Sequence, residues 1–151
     1  MKLYHYTSRE HLKKILEDGY IKTTSSNLLE PKAPCLTFRD DGTAVFADPA
    51  TDNYKPVVWL TDLLDFETAT KHGLSEAKTE AAIELEITCL TPVEKWTSWA
   101  ERNGIDKAWY AALKKAAPLW RTFYVCEQAI PIDANTMIAF RPDIYDEFSA
   151  R

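Results

Sequence analysis

The sequence predicts a single α+β domain that spans residues 1–151. Two observations predict this class: short β-branched and aromatic stretches recur along the chain, and amphipathic segments with helical spacing lie between them. A chain of 151 residues has the usual size of one domain with one core. Apolar residues make up 46% of it and charged residues 27%, which is ordinary for a folded globular protein and argues against disorder.

The chain opens with a predicted strand, helix and strand. Leu3–Thr7 favours β structure, and Thr7 with Glu10 three residues later has the pattern of a capping box with Thr7 as the cap. Helical spacing of apolar residues then predicts a helix over Ser8–Asp18, which Gly19 ends. The alternation over Tyr20–Thr24 predicts a second strand.

A long connection follows, over Ser25–Lys55. It is rich in Pro, Asp and Gly, and its only apolar pieces are Leu36–Phe38 and Ala44–Phe46. A connection of this length in a compact domain is usually functional, so two interpretations stay open: a decorated surface loop or a loop that covers a ligand. Pro56–Thr61 is nearly all apolar and predicts a strand that is buried on both faces.

The second half predicts further helices and strands. Asp62–Lys71 has the character of a short helix, Ala81–Leu90 alternates as a half-exposed strand, Thr122–Cys126 predicts a buried strand, and Asn135–Phe140 the last one. Two helices are expected in between, the second ended by Pro118. Their predicted buried faces are Val93, Trp96, Trp99 and Ala100 in the first, and Ile105, Trp109, Ala112, Leu113 and Ala116 in the second.

Charge and hydropathy narrow the classes of partner. The formal net charge is −5 and no run of Lys or Arg exceeds two residues, so non-specific nucleic-acid binding is not expected. A nucleic-acid substrate held by a small local site stays open. No apolar stretch approaches the ~20 residues that a membrane-spanning helix needs, and the first residues lack the apolar core of a signal peptide. We therefore expect no membrane association.

The cysteines predict a reduced protein. Cys35, Cys89 and Cys126 are odd in number and far apart in sequence, which favours neither a disulfide framework nor a structural zinc site. We expect Cys89 and Cys126 to be small core residues on strands. A cytoplasmic location is the corresponding expectation.

His5 is the first candidate functional residue. It lies mid-strand between Tyr4 and Tyr6, so its side chain has the opposite facing from theirs. A histidine in this setting can hydrogen-bond a ligand hydroxyl, with rings beside it that stack on a base. The alternative is a histidine whose hydrogen bonds only satisfy the fold.

Glu127 is the second candidate. It directly follows the predicted buried strand Thr122–Cys126, and Ile130-Pro131 comes just after it. A carboxylate at the end of a buried strand is partly desolvated, which is costly without a partner or a task. The alternative is a glutamate that turns outward where the strand ends.

Trp59 and Thr61 form the third candidate patch, at the end of the strand before Asp62. The hydroxyl of Thr61 and the large ring of Trp59 suit a ligand site, whereas core packing and a helix cap are the structural alternative. The three histidines lack metal-ligand spacing, so no metal site is expected, and the four glycines form no phosphate-binding loop.

The order of these patches resembles the ADP-ribosyltransferase superfamily, whose members bind NAD in a cleft between two antiparallel sheets. The likeness lies in Leu3-Tyr-His-Tyr-Thr7 with its helix, in Val57-Val-Trp-Leu-Thr61, and in Tyr124-Val-Cys-Glu127 with Ile130-Pro131. The resemblance implies an ADP-ribosyltransferase-like α+β fold of two packed, mostly antiparallel β-sheets with flanking helices.

The resemblance also implies roles for individual residues. His5 matches the histidine that holds the adenosine ribose in the His-Tyr-Glu branch, and Glu127 matches the catalytic glutamate. Trp59-Leu60-Thr61 departs from the tyrosine or serine motif of the middle position, and Tyr6 stands where many members have glycine. The implied NAD-binding residues are His5, Tyr4, Tyr6, Thr7, Trp59, Thr61, Phe38 and Phe46.

The expected activity is transfer of ADP-ribose from NAD, as co-substrate, to an acceptor that is a protein, a nucleic acid or a small molecule. One alternative is a module that binds NAD or ADP-ribose without chemistry. A second is another reaction on this fold, such as phosphate removal from RNA ends, which would need clustered arginines where Arg39, Arg121 and Arg141 are scattered. A third is an inhibitor or interaction protein that binds no ligand.

Overall fold

The computed structural model describes residues 1–24, 35–38, 40–47, 55–71 and 76–143. Four helices are present in these ranges: α1 (Arg9–Asp18), α2 (Phe66–Lys71), α3 (Trp96–Arg102) and α4 (Lys107–Ala116). The strands are β1 (Lys2–Thr7), β2 (Tyr20–Ile21), β3 (Cys35–Phe38), β4 (Ala44–Ala47), β5 (Val58–Thr61), β6 (Ala81–Glu86), β7 (Val93–Lys95), β8 (Phe123–Cys126), β9 (Ile130–Pro131) and β10 (Ile138–Phe140). The protein is therefore of the predicted α+β class.

The main sheet has six antiparallel strands in the order β10–β6–β1–β5–β8–β7. Strand β1 lies near its centre, but its two borders differ. Six residue pairs join β1 to β6, whereas the single pair Tyr4–Thr61 joins β1 to β5. Strands β5 and β8 are joined by four pairs, from Val58–Cys126 to Thr61–Phe123.

Helix α1 confirms its predicted extent, but the predicted cap was wrong. The Oγ of Ser8 accepts the backbone N–H of His11 at 3.1 Å, so Ser8 is the N-cap, and Thr7 is the last residue of β1. A serine one residue later satisfies the same first-turn amide that the capping-box pattern assigned to Thr7. Gly19 ends the helix with φ of 79°, a left-handed conformation that glycine adopts without steric cost.

One face of the main sheet packs against the small second sheet β2–β9 and helix α1. Its buried residues are Leu3, Val58, Leu60, Ala81, Ile83, Leu85 and Cys126 from the main sheet, with Leu12, Ile21 and Ile130 opposite them. Two sheets in contact match the coarse expectation, although the second has only two strands. Pairing of Ile21 with Ile130 ties the segment before the long connection to the segment after Glu127.

The opposite face is covered by helices. Trp96, Trp99 and Ala100 of α3 pack against Val57 and Val125 in a cluster that we call the helical cluster. A smaller cluster joins Tyr6 and Ala82 of the sheet to Ala69 of α2. Strand β5 is buried on both faces, as predicted, because Val58 and Leu60 contact one layer, while on the other face Thr61 is buried and Trp59 packs partly buried against the helical cluster.

The structure corrects three further sequence-based expectations and adds one hairpin. Val93 lies on strand β7 and not in the first helix, and Cys89 is exposed in the turn after β6 and not in the core. Helix α4 turns Tyr110 and Leu113 to the helical cluster, while Ala112 and Ala116 of its predicted face are exposed. The apolar pieces of the long connection pair as the hairpin β3–β4, whereas the rest of Ser25–Lys55 lies mostly outside the described residues. Among the described residues, no helix is long and apolar enough to cross a membrane.

Candidate functional site

Three neighbouring strands carry the candidate residues. Strands β1, β5 and β8 lie side by side in the main sheet, and they hold His5, Trp59 with Thr61, and the residues that lead into Glu127. Segments that are more than fifty residues apart in sequence thus meet in one sheet.

His5 is fixed by the backbone of the neighbouring strand. Its Nδ1 lies 3.0 Å from the carbonyl oxygen of Trp59, and its ring meets the Trp59 ring edge-on at 6.4 Å between centroids. A carbonyl oxygen only accepts, so Nδ1 carries the proton. Burial lowers the pKa of His5, against a smaller opposing effect of this hydrogen bond. The ring is therefore neutral and Nε2 is a hydrogen-bond acceptor, which none of the described residues occupies.

The lowered pKa of His5 makes stability depend on pH. Because the unfolded chain takes up a proton near 6.5 and the folded chain does so only at lower pH, the free energy of unfolding falls as pH drops below 6.5. Urea unfolding across this range should show the loss in wild type and a flatter profile in His5→Asn, whose amide keeps a donor near the Nδ1 position. A wild-type profile in His5→Asn would contradict the assignment.

Trp59 connects His5 to the helical cluster. Its ring is partly buried and meets the ring of Phe123 edge-on at 5.7 Å between centroids. Both rings pack against the helical cluster. One side of the Trp59 ring therefore packs as a core residue does, and another side faces His5. These contacts hold the ring in a fixed position, where it can form one wall of a ligand site.

Thr61 is committed to the fold. Its side chain is buried, with 4% of the residue exposed, and its hydroxyl donates to Thr122 Oγ1 at 2.8 Å and accepts the N–H of Leu63 at 3.2 Å. These bonds fix the chain where β5 ends beside the start of β8. The core-packing alternative from the sequence describes Thr61 better than ligand binding does, but the predicted helix cap was wrong, because α2 begins at Phe66 and Asp65 Oδ1 accepts the N–H of Thr68 in its first turn.

Tyr6 is also committed to the fold. Its ring is buried against Phe66 at 5.4 Å, and its hydroxyl donates to the carbonyl of Leu63 and accepts the N–H of Asp65, each at 2.9 Å. Burial raises the pKa of this hydroxyl. Tyr4 packs against the same cluster while only partly buried, so it is the more accessible ring of the pair.

Replacing Tyr6 with phenylalanine should lower the free energy of unfolding by about 1–3 kcal/mol. The change leaves the Leu63 carbonyl and the Asp65 amide without their partner, while the ring keeps its packing on Phe66. Urea unfolding measures the loss. A variant that keeps full stability would contradict the structural role assigned to the Tyr6 hydroxyl.

Glu127 lies just beyond β8 and is held through one oxygen. Its Oε1 accepts the indole N–H of Trp99 at 2.8 Å and lies 3.8 Å from Nη2 of Arg102, which also bonds Glu94. The side chain is 43% exposed, so the second oxygen has room for a ligand hydroxyl. A half-exposed carboxylate oriented by a buried indole can stabilise positive charge that develops beside it.

Not all the predicted residues meet. His5 and Trp59 are in contact, but no hydrogen bond or ring contact among the described residues joins Glu127 to either. Thr7 ends β1 with 5% exposure. Phe38 and Phe46 belong to β3 and β4, where only the strand pairing is described.

A cavity of about 580 Å³ lies beside the Glu127 backbone. Cys126 and Gln128 line it on either side of Glu127, with Leu85, Ile130 and Asn135 among its other walls. Its volume falls within the range of about 300–1,000 Å³ that small-molecule sites occupy. Burial raises the pKa of the Cys126 thiol, whose Sγ bonds the Gln128 carbonyl, so this wall carries no thiolate at neutral pH.

Sequence reasoning missed the residues that orient Glu127. Trp99 was predicted only as a core residue, and Arg102 and Glu94 carried no signal as partners. The indole N–H of a buried tryptophan usually has an acceptor, but Glu127 becomes that acceptor through the pairing of β7 with β8 and the contact of α3 with both strands. Comparisons with protein-family models, with curated proteins and with solved structures found no match.

Proposed function

We propose that this protein transfers ADP-ribose from NAD to an acceptor, on an ADP-ribosyltransferase-like fold. The observation that carries the proposal is the placement of His5, Trp59 and Glu127 on or just after three adjacent strands, in the order of the resemblance. The proposal includes a cytoplasmic location, which the free thiols of Cys89 and Cys126 favour.

The reaction breaks the bond between C1 of the nicotinamide ribose and the pyridinium nitrogen. Nicotinamide leaves as a neutral molecule with the electron pair, and positive charge spreads over C1 and the ring oxygen, as in glycoside hydrolysis. The oxygen or nitrogen nucleophile of the acceptor then bonds to C1 and releases its proton to solvent. The carboxylate of Glu127 stabilises the positive charge and accepts a ribose hydroxyl, while Trp99 and Arg102 hold it in place.

His5 positions the other end of the substrate. A neutral imidazole with Nδ1 bonded to the Trp59 carbonyl offers Nε2 to a donor, and a ribose hydroxyl is such a donor. Trp59, whose ring meets the His5 ring edge-on, supplies a partly buried ring for a base, whereas Tyr4 lies on the opposite face of β1 from His5. Thr61 and Tyr6 support these residues without touching NAD.

One observation favours the binding module as a second candidate. The Thr61 hydroxyl at the middle position is already bonded to Thr122 and Leu63, so it offers nothing to the nicotinamide ribose. If Glu127 takes no part in bond breaking, the protein would bind NAD through His5 and Trp59 and leave it intact.

Nicotinamide release from NAD, measured by chromatography with and without cell lysate, separates the two candidates. A transferase releases nicotinamide, and release grows when lysate supplies an acceptor. A binding module shows a higher melting temperature with NAD and no release. Neither release nor a thermal shift would contradict both.

A further inference from the structure

Helix α4 and the turn after it carry a concentration of positive charge. Residues 107–126 contain four cations, Lys107, Lys114, Lys115 and Arg121, and no Asp or Glu, in a chain whose net charge is −5. Lys107, Tyr110 and Lys114 share one face of α4 because they are three and four residues apart. We call Lys107, Tyr110, Lys114, Trp120 and Arg121 the α4 surface.

Two aromatic rings and two cations contact each other on this surface. The Lys114 ammonium lies 3.9 Å from the centroid of the Tyr110 ring and 4.5 Å from that of Trp120, so it sits between them. The Arg121 guanidinium lies 4.9 Å from the Trp120 centroid. The rings are partly buried and packed on the helical cluster, which fixes their planes.

No carboxylate in the described part of the chain neutralises these cations. Among the described residues, none lies within ion-pairing distance of Lys107, Lys114 or Arg121. The nearby acidic groups serve the fold: Asp106 caps α4 through the N–H of Trp109, and Glu101 accepts the hydroxyl of Tyr110 at 3.3 Å. Lys114 and Arg121 are thus held against rings, Lys107 lies on the same face of α4, and all three remain available to phosphate.

We propose that the α4 surface binds single-stranded nucleic acid. Single-strand sites combine cations that follow the phosphates with rings on which bases stack, and this surface supplies both within a few ångströms. Tyr110 and Trp120 pack on the same helical cluster as Trp59 of the candidate site. The inference that the bound nucleic acid is also the acceptor of ADP-ribose rests on the proposed function. The inference that the α4 surface binds nucleic acid does not rest on it.

The other anionic partners fit less well. A duplex keeps its bases stacked on each other, so the rings of Tyr110 and Trp120 would gain nothing from it. An acidic protein segment would use the cations and leave the rings idle. A single-stranded nucleic acid uses both the rings and the cations. A base can stack on a ring in place of the Lys114 ammonium, and the ammonium then moves to a phosphate.

Fluorescence anisotropy with a labelled oligothymidylate of ~10 nucleotides tests the proposal without NAD. Wild type should bind at low salt, and log K should fall with log salt with a slope of about −2, since three cations each contribute about −0.7 on single strands. The triple variant Lys107→Gln/Lys114→Gln/Arg121→Gln should lose roughly a hundredfold in affinity and most of this slope. Trp120→Leu should weaken binding roughly tenfold and keep the slope.

The control variant Lys13→Gln/Lys14→Gln/Lys78→Gln removes three exposed cations from other elements and should bind as wild type. Circular dichroism confirms that each variant is folded. Absent binding at low salt, equal loss in the control, or tighter binding of a poly-glutamate peptide than of the oligonucleotide would overturn the proposal.

The acceptor role has a separate readout. With labelled NAD, wild type should modify the oligonucleotide, and the triple variant should modify it less while still releasing nicotinamide. Binding without modification would support nucleic-acid binding by the α4 surface and contradict only the acceptor role. Nicotinamide release without oligonucleotide binding would support the proposed function and overturn the proposal that the α4 surface binds nucleic acid.

Discussion

Replacing Glu127 with glutamine is expected to lower nicotinamide release from NAD by about 10²–10³-fold, the usual effect of removing one preorganised charge-stabilising group. The amide oxygen of glutamine still accepts the indole N–H of Trp99, so the side chain keeps its position and loses its charge. Single-turnover release measured beside the melting temperature separates lost chemistry from lost structure.

Glu94→Gln is the matched control, because Glu94 also bonds Arg102 and its side chain is exposed to a similar degree, 34% against 43%. This variant should keep most of the release, which would show that charge near Arg102 is not sufficient. Full release in Glu127→Gln would remove Glu127 from the mechanism and leave ADP-ribosyl transfer without its central residue.

Replacing Trp99 with alanine is expected to lower the free energy of unfolding by about 3–5 kcal/mol, since the ring is 1% exposed at the centre of the helical cluster. The change opens a cavity between α3 and β8 and leaves Glu127 without its donor. Urea unfolding with fluorescence of the remaining tryptophans measures the loss.

Trp99→Phe divides the two roles of this residue. It fills most of the space and removes the indole N–H, so it should destabilise less than alanine yet release nicotinamide more slowly than wild type. A Trp99→Ala loss below about 1 kcal/mol would contradict the packing described for α3.

Local signals in the sequence predicted most elements of the fold. Helix α1 has a serine cap and a glycine stop directly at its two ends, and β5 begins with the apolar run Val58-Trp59-Leu60. Val93 and Cys89 were misplaced because their environment depends on partners far along the chain: Val93 pairs with Cys126, and the turn at Cys89 lies where β6 ends. The capping error at Thr7 arose because Ser8 offers an equivalent hydroxyl one residue later.

The candidate site was predictable only in its outline. Residue type and position indicate His5, Trp59 and Glu127, but a hydroxyl looks the same in sequence whether a ligand or the fold uses it. Thr61 bonds Thr122, which is 61 residues away, and that bond follows from the pairing of β5 with β8. The contact of Lys114 with Trp120 was not predicted for the same reason. Counting consecutive cations in the sequence does not show which side chains a turn brings into contact.

The border between β1 and β5 divides the main sheet into two halves that share little backbone. One half holds β10, β6 and β1, the other β5, β8 and β7, and the Tyr4–Thr61 pair with the His5 side chain spans the seam. Amide hydrogens there should exchange with deuterium faster than those between β1 and β6, because fewer bonds must open. A molecule that bound both His5 on one half and Glu127 on the other would hold the two halves together and slow this exchange.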